Sequence, residues 1–251
     1  MMTTPLFKKP TAGYLFYLAT YFANFTNMFK NLPLLLMLCL FPLAACSSLQ
    51  EKQQPNAPHE ANIQPFDHEV EGLSKAYFAS GCFWCVEAIF ESVEGVKEVI
   101  SGYSGGRIKN PTYGQISSGR TKHAEAVEVY YDPEVVNYAT LLKVFFGSHD
   151  PTTPNRQGPD RGPQYRSMIY YQNAQEKKLA EDYIAELNAS GQFSAKIVTE
   201  LVPFDIFYIA EDYHQNYEKL NPNQPYVRAV SVPRLNRFKA KFPELLKEES
   251  H

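Results

Sequence analysis

Two thiols stand three residues apart in Gly81-Cys82-Phe83-Trp84-Cys85. Just before them the short apolar run Ala76-Tyr77-Phe78-Ala79 reads as a strand, and Ser80-Gly81 breaks it. From Cys82 to Ser92 the apolar residues recur at helical spacing. The pair therefore sits at a strand-to-helix junction, with Cys85 one turn along from Cys82. Free N–H groups and the macrodipole at a helix start favour an anion. Cys82 is expected to be a nucleophilic thiolate with a lowered pKa. In an oxidising compartment such a pair cycles between dithiol and disulfide. A structural zinc needs two more well-spaced ligands. There is no second Cys-x-x-Cys, and His123, His149 and His214 are scattered. A lone Cys-x-x-Cys does not name a substrate.

Three other segments narrow the chemistry. They are Asn110-Pro111-Thr112-Tyr113-Gly114, Lys122-His123-Ala124-Glu125-Ala126-Val127, and the stretch from Gln157-Gly158-Pro159-Asp160-Arg161 to Gln164-Tyr165-Arg166-Ser167. With Gly-Cys-Phe-Trp-Cys and the later Ala210-Glu211-Asp212-Tyr213-His214-Gln215, they resemble the A-type peptide methionine sulfoxide reductases over about residues 75–225, in the same order. The resemblance implies that Cys82 attacks the sulfoxide sulfur and that Glu125 protonates the departing oxygen. It implies that Tyr113 and Tyr165 donate hydroxyl protons to that oxygen. Asp160 is then a supporting polar residue at the substrate, and Phe83 and Trp84 are an apolar wall for the methyl group on sulfur. His123, Asp212 and His214 would support the site from behind. The expected substrate is the S epimer, free or in peptides. No bound cofactor is implied, because thiols carry the electrons; an external thioredoxin-like dithiol donor resets the enzyme. Many members have Gly at the position of Cys85 and resolving cysteines in the tail. This tail has none, so Cys85 is expected to attack a Cys82 sulfenic acid, unless resolution is intermolecular.

Two other function classes remain: thiol–disulfide exchange on proteins, and a surface lipoprotein that only binds a partner. Disulfide exchange has no oxide oxygen to protonate, so Glu125 separates it from the reductase. A binding protein would not need Cys82.

The elements that must position these residues read as follows. Val96 to Tyr103 is a strand after Gly95, a helix C-cap. Residues 107–122 form a loop. Ala124 to Tyr131 alternates as a half-buried strand. Asn137 caps a helix through Phe146, and a long loop runs from Ser148 to Gln164. Ser167 to Tyr171 and Lys196 to Val202 are strands; Asn173 to Ala189, Glu211 to Leu220 and Pro233 to Phe242 are helical. We expect an α+β class with one domain over residues 73–251. Its helices pack on a mixed β-sheet in a ferredoxin-like two-layer core with long loops.

The chain has 251 residues, 24 basic and 27 acidic side chains, and a net charge of -3. There is no basic stripe for nucleic acid, and four cysteines are too few for a disulfide scaffold. Residues 1–45 contain Lys8, Lys9 and Lys30 and no acidic residue, so the front differs from the rest. Leu32 to Ala45 is an uncharged apolar run of 14 residues, short of the roughly 20 that span a bilayer. With Lys30 before it and Ala44-Ala45 after it, the run is expected to be a secretory signal. Leu43-Ala44-Ala45-Cys46 resembles a bacterial lipoprotein box, which implies lipidation of Cys46. Met28 is a natural start for such a signal; the alternative is a long lead whose basic end is Lys8 and Lys9. Residues 46–72 are polar and read as a flexible tether. The expected location is the cell envelope, lipid-anchored, at the periplasmic face of an outer membrane.

Overall fold

A computed structural model describes residues 72–248, all within one compact unit. The expected signal, Cys46 and nearly all of the tether lie outside the described residues. Among those described, no helix is long and apolar enough to cross a membrane.

The strands are β1 (Ser74–Ser80), β2 (Val96–Ser104), β3 (Ala124–Tyr131), β4 (Arg156–Gln157), β5 (Asp160–Arg161), β6 (Ser167–Tyr171), β7 (Glu200–Pro203) and β8 (Phe207–Ile209). The helices are α1 (Phe83–Glu91), α2 (Tyr113–Ser117), α3 (Tyr138–Gly147), α4 (Ala174–Ser190), α5 (Tyr217–Leu220) and α6 (Val232–Lys241). Six strands form one sheet in the order β7-β6-β1-β3-β2-β8, and β4 pairs with β5 as a separate hairpin. Only β6 and β7 run parallel. At the centre, β3 lies between β1 and β2, which α1 connects. This split βαβ, flanked by β6, is the ferredoxin-like arrangement, so the expected α+β mixed-sheet class holds.

Local chemistry explains most element ends. The Asn137 side chain accepts from the Thr140 N–H at 2.9 Å and starts α3, and Asn173 accepts from the Glu176 N–H at 2.9 Å and starts α4. Helix α1 stops earlier than expected. Ser92, not Gly95, is its C-cap, and the Ser92 hydroxyl donates back to the Ile89 carbonyl at 2.7 Å. Gly95 serves the turn that follows, at φ +83°.

Burial departs from expectation at β3, where all eight residues are buried rather than one face. Val127, Val129 and Tyr131 face the core under the helices, with Phe78, Phe90 and Phe145. Ala124 and Ala126 face a second apolar cluster with Tyr77, Met168, Tyr170 and Phe207. The small–polar alternation suggested a wet face, but the segment Val202 to Ile209 covers it.

Other differences lie in the connections. The 107–122 loop contains α2, and the 148–164 loop contains the β4–β5 hairpin. The strand expected from Lys196 is β7, beginning only at Glu200, and β8 was not expected. The helix expected over 211–220 is broken into a 3-10 turn, Asp212–His214, and α5. Asn216 between them adopts φ +54°, which no helix continues through. A π-helical stretch, Val227–Ser231, leads into α6, which starts at Val232.

Candidate active site

Cys82 is the N-cap of α1, and its carbonyl accepts from Cys85 N at 3.2 Å and Val86 N at 3.3 Å. Both cysteines are free and buried. The first free N–H of the helix is not spent on sulfur: Phe83 N donates to Glu125 Oε2 at 3.1 Å, and the Cys82 side chain makes no capping bond. This corrects the expected ionisation. Burial, above all, pushes the Cys82 thiol well above its ordinary range; its hydrogen bond to Cys85 and the charges of Cys85 and Glu125 add to the rise. Cys85 is instead lowered to about 6, chiefly by the hydrogen bond from Cys82, with help from the Arg234 charge. The two thiols are hydrogen-bonded to each other and lose their first proton as a pair.

Glu125 is 1 % exposed. Burial raises its carboxyl to about 8, the Phe83 N–H pulls the other way, and the charges of Asp160 and Cys85 add to the rise. Near neutrality it is therefore a buried acid carrying a proton. The Tyr113 hydroxyl is pushed up to about 12 by burial and then by the Glu125 and Cys82 charges. Tyr165 is raised by burial and by Glu125, Tyr113, Cys82 and Asp160. Loop geometry brings these groups together: α2 starts at Tyr113, and the 3-10 turn Pro163–Tyr165 follows the β4–β5 hairpin that carries Asp160.

Aromatic rings line the site. Trp84 stacks on Tyr217 at 3.7 Å and donates its indole N–H to His214 Nδ1 at 3.1 Å. His214 also packs against Phe83 at 4.9 Å, Tyr113 at 4.4 Å and Tyr213 at 4.2 Å. Burial lowers His214 to about 4, so the ring is neutral, and the Trp84 bond puts its proton on Nε2. Phe83 is 1 % exposed and backs this wall; Trp84 is half-buried.

His123 accepts from Gly106 N at 3.1 Å through Nδ1 and donates from Nε2 to the Ile108 carbonyl at 2.8 Å. It thereby ties the loop that leads to Tyr113. Asp212 is exposed, and its neighbour Glu211 is the residue that reaches inward. Glu211 accepts from the Tyr103 hydroxyl and from Tyr113 N, both at 2.8 Å, and lies 4.0 Å from His214 Nε2.

Sequence reasoning missed four further residues. Glu87 is 2 % exposed on α1 and raised by burial to about 7. It accepts from the Ser101 hydroxyl and from Asn216 N, each at 2.5 Å, and so anchors the segment bearing His214 to the cysteine helix. A carboxyl at a position in line with Phe83 and Phe90 was the available signal. Tyr226 donates to Asp160 Oδ2 at 2.6 Å and its oxygen lies 3.9 Å from Cys85 Sγ. Arg234 and Ser231 also approach Cys85. Nothing local marked these three, because the C-terminal segment that carries them reaches the site only through tertiary packing, α6 against α1 and Tyr226 against Asp160.

Buried paired thiols beside a protonated carboxyl and tyrosine hydroxyls are the groups of a thiol-dependent reductase. The family model described as peptide methionine sulfoxide reductase matches residues 74–246. A reductase from Rhodopirellula baltica is 47 % identical over 189 residues, covering 73 % of this chain and 97 % of that protein. One from Acinetobacter baumannii strain AYE is 50 % identical, covering 70 % and 99 %. Among solved structures, methionine sulfoxide reductase A of Corynebacterium diphtheriae aligns with TM-score 0.57 at 36 % identity, covering 65 % of this chain and 84 % of that one. The chain belongs to the peptide methionine sulfoxide reductase family and is an enzyme that reduces methionine sulfoxide.

Proposed function

We propose that Cys82 and Glu125 carry the chemistry on S-epimer methionine sulfoxide. One observation carries this reading: a buried carboxyl, protonated to about pH 8, accepts a hydrogen bond from the peptide N–H next to Cys82. Cys82 passes its proton to Cys85 and attacks the sulfoxide sulfur. Glu125 gives its proton to the oxygen, and the oxygen ends on Cys82 as a sulfenic acid while methionine leaves. Tyr113 and Tyr165 donate hydrogen bonds to the oxygen as charge builds on it. Trp84, backed by Phe83 and His214, gives the methyl group an apolar surface. Asp160 takes the polar end of the substrate. Cys85 then forms a disulfide with Cys82, and an external thioredoxin-like dithiol reduces it.

The test supplies each sulfoxide epimer with a dithiol and measures methionine by chromatography. Turnover of the S epimer alone is expected, with none in Cys82→Ser. Equal turnover of both epimers would remove the stereochemical claim, and an active Cys82→Ser would remove the nucleophile.

The front of the chain supports a second reading: Cys46 is lipidated after removal of residues 1–45, and the tether holds the domain at an envelope membrane. It rests on the short apolar run, its basic start and the Leu43-Ala44-Ala45-Cys46 exit. Expressed in a bacterium with an envelope, the full chain should fractionate with membranes and Cys46→Ser should not. A lipid-free Cys46 by mass spectrometry would defeat the idea.

A further inference from the structure

The resolving step needs its own machinery. Before reaction, an S–H···S hydrogen bond joins Cys82 and Cys85 and helps hold the charge of the pair. That bond cannot survive the first half-reaction, since Cys82 then carries oxygen in place of its proton. Some other group must hold the Cys85 charge for its attack.

The C-terminal segment provides candidates. The Tyr226 oxygen lies 3.9 Å from Cys85 Sγ and 2.6 Å from Asp160 Oδ2, and its single proton can serve only one of them. Arg234 is 5 % exposed and has no carboxylate within ion-pair distance among the described residues. Its Nε donates to the Ser148 carbonyl at 2.9 Å and Nη2 to Ser80 Oγ at 3.3 Å. Its Nη1 lies 3.4 Å from where a Cβ on Gly81 would stand, directly before Cys82. A buried guanidinium needs anions near it; the Asp160 and Glu218 carboxyls feel its charge, and a thiolate at Cys85 adds a further anion. The π-helical stretch Val227–Ser231 lies between these two residues. It carries the Ser231 hydroxyl, which bonds Glu218 and also approaches Cys85.

We propose that Tyr226 and Arg234 form a cradle for the Cys85 thiolate in the resolving step, the tyrosine by turning its O–H from Asp160 to sulfur and the arginine by its buried charge. The inference rests on the reading of Cys85 as the resolving cysteine. In the step, Cys85, left as a thiol by the first half-reaction, releases its proton to solvent; its S⁻ forms the S–S bond to Cys82 and the S–O bond of the sulfenic acid breaks. Cys85 sulfur is oxidised, Cys82 sulfur is reduced, and the hydroxide leaves as water with a proton from solvent. The other groups facing this sulfur are Cys82, the carboxyls of Glu125 and Asp160, and Glu218 through Ser231. The carboxyls oppose a thiolate when ionised, so the arginine is the one positive charge identified at the pair.

The experiment is a single turnover with one equivalent of S-epimer sulfoxide and no dithiol, quenched with acid. Methionine release and Cys82–Cys85 disulfide, measured by mass, are followed separately from pH 5 to 9. In wild type, disulfide should track methionine. In Tyr226→Phe and Arg234→Met, methionine should still be released, slowed only as far as the first ionisation of the thiol pair shifts, while disulfide formation lags about tenfold behind methionine release at pH 7, its acidic limb moving up by about one pH unit. Arg234→Lys, which keeps the charge, should recover most of the rate. It also guards against misfolding of the methionine variant. Unchanged disulfide rates and limbs in both folded variants, or in Tyr226→Phe alone should Arg234→Met not fold, would overturn the cradle. Absence of any Cys82–Cys85 disulfide in wild type would instead overturn the underlying reading of Cys85.

Discussion

At the scale of residues, the site depends on protons held where water would not leave them. A carboxyl in water cannot act as an acid near neutrality, and burial, with the Asp160 and Cys85 charges behind it, makes Glu125 one. Reaction needs one proton off the thiol pair and one still on Glu125. With Cys85 lowered to about 6 and Glu125 raised to about 8, kcat/KM should be bell-shaped with limbs near those values. Glu125→Gln should cost about 100-fold or more and abolish the basic limb; a variant that keeps that limb would assign it elsewhere. Cys85→Ser should still release one methionine per enzyme, more slowly at neutral pH because the pair's proton acceptor is gone, and then stop with a dithiol protein as donor. Sustained turnover would show that Cys85 is not the resolver.

At the scale of elements, the site is held between a helix start and two loops. Gly81 lets β1 turn into α1 at φ +95°, and a Cβ there would lie 2.6 Å from Gln157 Cβ. Gln157 is on β4, whose partner β5 carries Asp160. Gly81→Ala should therefore destabilise the fold by roughly 1–3 kcal/mol and push the hairpin away from the thiols. The measurement is thermal unfolding together with KM for a peptide sulfoxide. KM should rise more than the melting temperature falls would suggest for a merely local strain, because Asp160 moves with the hairpin. An unaltered KM would mean the hairpin does not shift.

At the scale of the whole molecule, function is bought with buried acids. Glu125 and Glu87 keep protons in the fold up to about 8 and about 7 that the unfolded chain loses near 4.5. Across that range the folded state binds more protons, so stability falls as pH rises. His149, held neutral and lowered to about 3 by burial, and His214, at about 4, have the opposite sign. Their contribution is complete above 6.5 and is lost as pH falls toward those lower values. Cys85 also opposes the carboxyls above about 6. In a Cys82→Ser/Cys85→Ser background, the melting temperature should therefore fall between pH 6.5 and 8, and Glu125→Gln should flatten the fall. A melting temperature that rises over that interval would contradict the burial of these carboxyls.

The sequence by itself determined the thiol pair at a strand-to-helix turn, the helix capped by Asn137, the helix from Asn173 and the reductase motifs, because each is a matter of residues within a few positions of one another. Period and capping are local physics, and they are read directly from spacing. Only the tertiary structure showed that the two thiols are buried and ionise as one pair. The helix-start N–H expected to serve Cys82 went to Glu125, 42 residues away, and burial outweighed the helix dipole. Only it showed that β3 is covered on both faces, that Glu211 rather than Asp212 turns inward, and that Tyr226 and Arg234 stand at Cys85. Burial and electric fields are sums over neighbours from distant parts of the chain, and spacing along one segment carries no record of them.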